Sequence, residues 1–301
     1  MEIVNYLGPL MQNAGVFILL ALGLNLINGI CGQFSLGHAG FWAIGAYVSG
    51  AYGIFWAPSS LPDFVNLLIA NGLSIVAATV AGLLIGLPCL RLRGDYLAIA
   101  TLGFGEIIRI IINNLEVVGG PRGLTNIPHW SNLFWIYLWV VIALVFLTNL
   151  LRGTHGRAII SIREDEIAAE AMGINTTRYK TLAFVIGAGL AGLAGSLFAH
   201  AQQFIHPSSF SFMWSVIILL MIILGGMGSL TGSVIGAVVL TVLPEFLRLL
   251  GETVSEWRMV IYSVLLIVLM LVRPQGIFGK HEFDINKWLC RLGLAKKETQ
   301  A

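Results

Sequence analysis

The chain has 301 residues, 57% of them hydrophobic and only 11% charged, with a mean hydropathy of +0.87. Soluble domains carry about 25% charged residues, so a soluble globular fold is excluded and an all-α polytopic membrane protein is expected. A formal net charge of +2 gives no electrostatic footprint for nucleic acid.

A hydrocarbon core about 30 Å thick takes roughly 20 apolar residues per helix. That length predicts nine spans, at 6–30, 38–57, 64–88, 95–115, 131–151, 180–203, 211–227, 232–250 and 257–272, within one transmembrane domain covering 1–301. The range consistent with the pattern is about 8–10. The opening MEIVNY has no basic n-region, so the first apolar segment is expected to be retained as a span and not cleaved.

Two stretches interrupt the helical pattern. Asn28 to Gly40 reads NGICGQFSLGHAG, and Gly225 to Gly232 reads GGMGSLTG. Backbone leaves the helix at membrane depth only where protein or a wet cavity satisfies it. Paired breaks of this kind point to a transport pathway, or else they are two tight interhelical turns. Asn28, Gln33, Ser35 and His38 supply the polar side chains of the first break. His38 is either a pathway residue or a packed histidine.

The fourth span, DYLAIATLGFGEIIRIIINNLE, carries intramembrane charge. Glu106, Arg109 and Asn113 share one helical face. An unpaired charge at mid-bilayer costs about 2.5–3.5 kcal/mol on insertion scales, so the two charges are expected to pair. They form either a polar wall of a substrate path or a pair locking two helices. Thr101 in the same span is a further pathway candidate. Beyond it, Val118 to Pro128 (VGGPRGLTNIP) is a turn-rich loop that either meets a partner or merely connects helices.

The longest polar interruption follows, at 152–180: RGTHGRAIISIREDEIAAEAMGINTTRYK. Ser161 and Glu164 have capping-box spacing, with Glu164, Asp165 and Glu166 in the first turn, where the helix dipole favours anions. Gly173 is placed to end the helix. Ile167, Ala168, Ala171 and Met172 share one face; Arg163, Glu166 and Glu170 share another. About ten residues make a marginal helix in water, so each face needs a support: the bundle itself, or a separate soluble protein.

Lysine and arginine set the orientation. With the N-terminus outside, thirteen of the 17 basic residues fall on the cytoplasmic side, including Arg91, Arg93, the 152–180 segment and the basic tail at 273–301. Cys31, Cys89 and Cys290 have no metal or redox spacing. There is no G-x-x-x-x-G-K-[ST], so any ATP is expected to be hydrolysed by another polypeptide. No H-E-x-x-H or nucleophile elbow supports an enzyme.

Five stretches together resemble one family: GQFSLGHAGFWAIGAY (Gly32–Tyr47), LRLRGDYLAIATLGFGEIIR (Leu90–Arg109), GGPRGLTNIP (Gly119–Pro128), GRAIISIREDEIAAEAMGINTTRYKTLAFVIGAGLAGLAGSLFAH (Gly156–His200) and RPQGIFG (Arg273–Gly279). The chain resembles the permease subunits of bacterial ABC importers for branched-chain amino acids, and more narrowly their LivM-like branch. The resemblance implies a multi-pass protein of the bacterial plasma (inner) membrane with a cytoplasmic coupling helix. That helix is centred on Glu166, Ala168, Ala169, Glu170, Ala171, Met172 and Gly173, with Arg163 preceding it. It implies as partners a second homologous permease subunit, two cytoplasmic ABC ATPase subunits and an external solute-binding protein. It implies no cofactor in this chain, ATP and Mg being bound by the ATPases. Urea or short amides as cargo, and an ion-coupled carrier working alone, remain alternatives at this point.

Overall fold

The computed structural model describes residues 2–90, 92, 94–249 and 264. The predicted span at 257–272, the basic tail at 273–301, the RPQGIFG motif, Arg91 and Arg93 lie outside the described residues. Helix α1 (Glu2–Leu24) widens into a π-helical turn at Asn25–Ile30. Helix α2 (His38–Ala51) ends in a second such turn at Tyr52–Trp56. Then come α3 (Asp63–Cys89), α4 (Asp95–Asn114), α5 (Leu133–Arg152), α6 (Thr154–Glu164), α7 (Glu166–Ala171), α8 (Thr176–Gln202), α9 (Phe212–Gly225) and α10 (Leu230–Leu249). Among the described residues there is no strand, only an isolated bridge between Leu124 and Ile205.

Among the described residues, five helices are long and apolar enough to cross a membrane: Leu7–Ile30, Asp63–Cys89, Leu133–Arg152, Thr176–Gln202 and Leu230–Leu247, with Phe212–Gly225 a shorter apolar helix. The stretches predicted at 38–57 and 95–115 form α2, 14 residues before its π turn, and α4, 20 residues. The chain is therefore an all-α polytopic membrane protein.

Burial separates centre from periphery. Of the most apolar window in α1 and in α8, 78% is buried, against 28% in α3 and 22% in α5. With lipid on one side there is no hydrophobic drive between helices, and close packing of small residues takes over. A methyl group on Gly45 of α2 would collide with the Gly192 backbone of α8, and Ser74 of α3 donates its hydroxyl to the Gly45 carbonyl at 2.9 Å. Above this crossing Trp42 packs edge-on to Phe210 and Phe198, with ring centroids 4.8 and 5.0 Å away.

Helix α2 starts inside the bundle. From Cys31 to Gly37 the backbone is irregular, and His38 then lies against Gly23, 3.3 Å from where a Gly23 methyl would sit. At 1.5 Å per residue, Gly23 is about 10 Å back along α1 from Ile30. The chain thus turns back into the bundle before α2 begins. At the opposite end, the α4–α5 loop is latched to the α8–α9 loop. Leu124 and Ile205 exchange backbone bonds of 2.8 and 3.1 Å, and the Pro128 carbonyl lies 2.9 Å from His200 Nδ1.

Candidate functional site

The 152–180 segment holds two short helices, not one. The capping box expected at Ser161 and Glu164 does not form, because both residues lie inside α6. The Ser161 hydroxyl bonds the Ala158 carbonyl at 2.9 Å instead. The chain breaks at Asp165, whose backbone is extended. Its carboxylate accepts from the Ile167 and Ala168 amides at 2.9 and 3.0 Å, which starts α7. Gly173 does end α7. With φ +83° it lets its own N–H reach the Glu170 carbonyl and the Ile174 N–H reach the Ala169 carbonyl, a Schellman closure.

The two glutamates of α7 are tied to α8. Glu166 pairs with Lys180 at 2.6 Å, and Glu170 accepts from the Thr176 hydroxyl at 2.9 Å. Ala169 is buried beneath them. The apolar residues face outward: Ile167 is 76% and Met172 83% exposed, with Ala168 and Ala171 exposed between them. A short helix with its hydrophobic side turned away from its own bundle is an unpartnered contact surface.

Arg163, in the last turn of α6, connects this surface to both broken stretches. A methyl group at Gly32 would meet Arg163 Cγ at 3.2 Å, and one at Gly228 would collide with its guanidinium. The π-helical turn that leads into the first break also bonds the second. Asn25 donates to the Ser229 carbonyl at 3.0 Å and accepts from the Gly228 amide at 2.8 Å. Asn25 is fully buried in the π-helical turn, and no local sequence signal singles it out. Cys31 lies under the same assembly. Burial pushes its thiol up to about 12, against the pull of Lys180.

The first break is held by side chains, as backbone at membrane depth requires. Asn28 and Ser35 exchange reciprocal bonds of 3.1 and 3.2 Å. Thr101 of α4 accepts from the Leu36 amide at 3.0 Å while donating to the Ala98 carbonyl. Ser215 of α9, which sequence reasoning did not single out, accepts from the Ala39 amide at 3.0 Å. Gln33 and Ser35 are buried with side-chain groups that have no protein partner among the described residues. His38 is fully enclosed beside Gly23 of α1.

Further along α4, Arg109 pairs with Glu106 at 2.7 Å, both side chains about one third exposed. The other Glu106 oxygen accepts the Phe212 amide at 3.2 Å, at the N-terminus of α9. One carboxylate thus balances a guanidinium and satisfies a helix-end donor. Asn113 lies partly buried near the far end of α4. The structure therefore groups Asn28, Ser35 and Thr101 at the break. Glu106 and Arg109 form a second group at α9.

The family model described as "Branched-chain amino acid transport system / permease component" matches residues 7–270. The chain is 39% identical over 302 residues to the high-affinity branched-chain amino acid transport system permease protein LivM of Salmonella typhimurium, covering 87% of this chain and 67% of that one. It is 30% identical over 291 residues to the permease protein LivH of Escherichia coli K12, covering 89% and 92%. It is 24% identical over 311 residues to a probable LivM of Methanocaldococcus jannaschii, covering 87% and 90%. No solved structure matches the chain. A match over most of the length, to both kinds of permease subunit, places the chain in the family of branched-chain amino acid transport system permease components.

Proposed function

We propose that this chain is a transmembrane permease subunit of an ATP-driven ABC importer that moves branched-chain amino acids into the cell. It pairs with a second, homologous permease. Two cytoplasmic ATPase subunits, which hold ATP and Mg, seat α7 in their surface, and an external solute-binding protein delivers the cargo to the opposite end. The N-terminus lies outside and the α6–α7 segment in the cytoplasm. The observation that carries this reading is α7 itself: Ile167 and Met172 point away from the bundle, while Glu166 and Glu170 fasten the helix to α8.

The anchoring suggests how force is passed on. Movement of α7 reaches α8 through the Lys180 and Thr176 contacts, and reaches both breaks through Arg163. Tying the two breaks together through Asn25 makes them shift as one. The cargo path runs along the α4 edge, past Asn28, Ser35 and Thr101 and then Glu106, Arg109 and Asn113. Gln33 and His38 support it from the bundle side. Such a path is small and weakly polar, consistent with a binding protein that supplies most of the selectivity.

The test is ATPase activity of the purified complex, stimulated by loaded binding protein. The Glu170→Arg, Met172→Asp double variant is expected to abolish stimulation while the permease pair still assembles. Full stimulation in that variant would refute the coupling role of α7. Uptake by this chain alone, without any ATPase, would refute the importer reading altogether.

A further inference from the structure

A groove follows the outer side of α8. Towards the α7 end, a cavity of about 550 Å³ opens between α3 and α8, lined by Leu83, Leu87, Thr177, Arg178, Thr181 and Val185. Val185 also lines the next cavity, about 300 Å³, where Ile75, Trp139, Phe146 and Gly189 of α3, α5 and α8 converge. Val185 lines both, so the two cavities follow one another along α8 as successive parts of one lane. It is polar and cationic at one end and apolar for the rest of its length.

Arg178 is exposed, and no carboxylate of the described residues pairs with it. At 1.5 Å per residue Val185 is about 10 Å and Leu193, at the far end of the apolar cavity, about 22 Å along α8 from Arg178. One leaflet of hydrocarbon is about 15 Å deep, so a lane with Arg178 at headgroup level would reach past the bilayer midplane. Among the described residues α3 and α5 are the most outward-facing of the five long spans, which leaves the opening on the outer surface of the bundle. A basic group beside an apolar slot between spans suits an anionic headgroup with its chain.

We propose that this lane is a binding site for an anionic phospholipid of the leaflet on the α7 side. Arg178 holds the headgroup phosphate, and one acyl chain lies along Val185 and Gly189 against Trp139. Gly189 keeps the slot open, because a methyl group there would sit 2.9 Å from the Thr79 hydroxyl. The occupied lane would brace α8 beside the Glu166–Lys180 and Glu170–Thr176 contacts.

The full permease complex in proteoliposomes tests this, with phospholipids brominated on the acyl chain as quenchers. The Trp139 contribution is the difference between the wild type and Trp139→Phe. Brominated phosphatidylglycerol is expected to quench that contribution about fivefold more effectively than brominated phosphatidylcholine, the preference one arginine confers near a charged surface. Arg178→Gln, an exposed change, is expected to bring the ratio to about one. Equal quenching by both lipids in the wild type would overturn the proposal by making the lane merely wetted by bulk lipid. No quenching by either would overturn it by showing the lane covered by protein. If Trp139→Phe fails to assemble, native mass spectrometry of the wild-type and Arg178→Gln complexes decides. A retained phosphatidylglycerol lost in the variant supports the site, and equal retention overturns it.

Discussion

The side-chain oxygen of Asn25 accepts the Gly228 amide at 2.8 Å, across 203 positions of sequence, while its amide group donates to the Ser229 carbonyl. The end of the first span thereby closes the turn between α9 and α10. Each buried group left unpaired costs about 1–3 kcal/mol. Asn25→Leu is therefore expected to lower the thermal midpoint of the purified complex by several degrees and to impair uptake. An unchanged midpoint would mean that the turn is held by other contacts.

Gly228 and Arg163 form a second long-range pair. Gly228 has φ +93°, and a side chain there would strike the Arg163 guanidinium. Gly228→Ala carries both the backbone penalty, about 1 kcal/mol or more, and the collision. Uptake should fall by at least tenfold. Adding Arg163→Ala should restore part of it, since only the collision is relieved. A double-mutant cycle showing no coupling would remove Arg163 from the connection between α6 and the breaks.

For Glu106, charge and hydrogen bonding can be separated. Glu106→Gln keeps an acceptor for the Phe212 amide and loses only the attraction to Arg109, a pair screened by its partial exposure. Its effect on uptake should be under about threefold. Glu106→Ala strands both partners and should cost about 1–3 kcal/mol of stability, read as a lower thermal midpoint. Equal loss in both variants would show that the path needs the negative charge itself and not only the acceptor oxygen.

The cap at Asp165 starts a six-residue helix that has little else to nucleate it. Asp165→Ala should cost about 0.5–2 kcal/mol of α7 and weaken stimulation of the ATPase by loaded binding protein. Asp165→Asn, which still caps, should retain most of it. Equal stimulation in the alanine variant would show that the partner alone orders α7.

Cys31 gives a pH-dependent readout. Its thiol is buried and pushed up to about 12, so the reactive thiolate is scarce up to about pH 9 and increases only as pH rises towards that value. In a Cys89→Ala, Cys290→Ser background the resting complex should resist maleimide between about pH 7 and 9. Ready labelling at about pH 7 would show that the region beneath α7 is open at rest.

Much of this architecture was legible in the sequence because it depends on local pattern. Apolar runs of spanning length give the helices, glycine and small polar clusters give the breaks, and charge density gives the segment around α6 and α7. Gly173 was readable as a helix stop because a single residue with positive φ suffices. What was not legible depends on choices between equivalent local signals or on distant partners. Ser161 and Asp165 both have cap chemistry, and where α6 begins decides between them. Asn25 looks like any polar residue in a span, since a π-helical turn has the same hydropathy as an α-helical one. That both breaks meet Arg163 is a property of the packed bundle, not of either stretch.

Helix α8 is a single unbroken rod of 27 residues. It has α7 fastened near one end and the Pro128–His200 latch at the other. At 1.5 Å per residue it is about 40 Å long, so a tilt of only about 5° about one end would displace the other by about 3.5 Å. A small rotation beside α7 would thus be magnified into a shift as wide as an atom at the opposite end of the helix. The stiffness of this one element sets how small a displacement at one end is felt at the other.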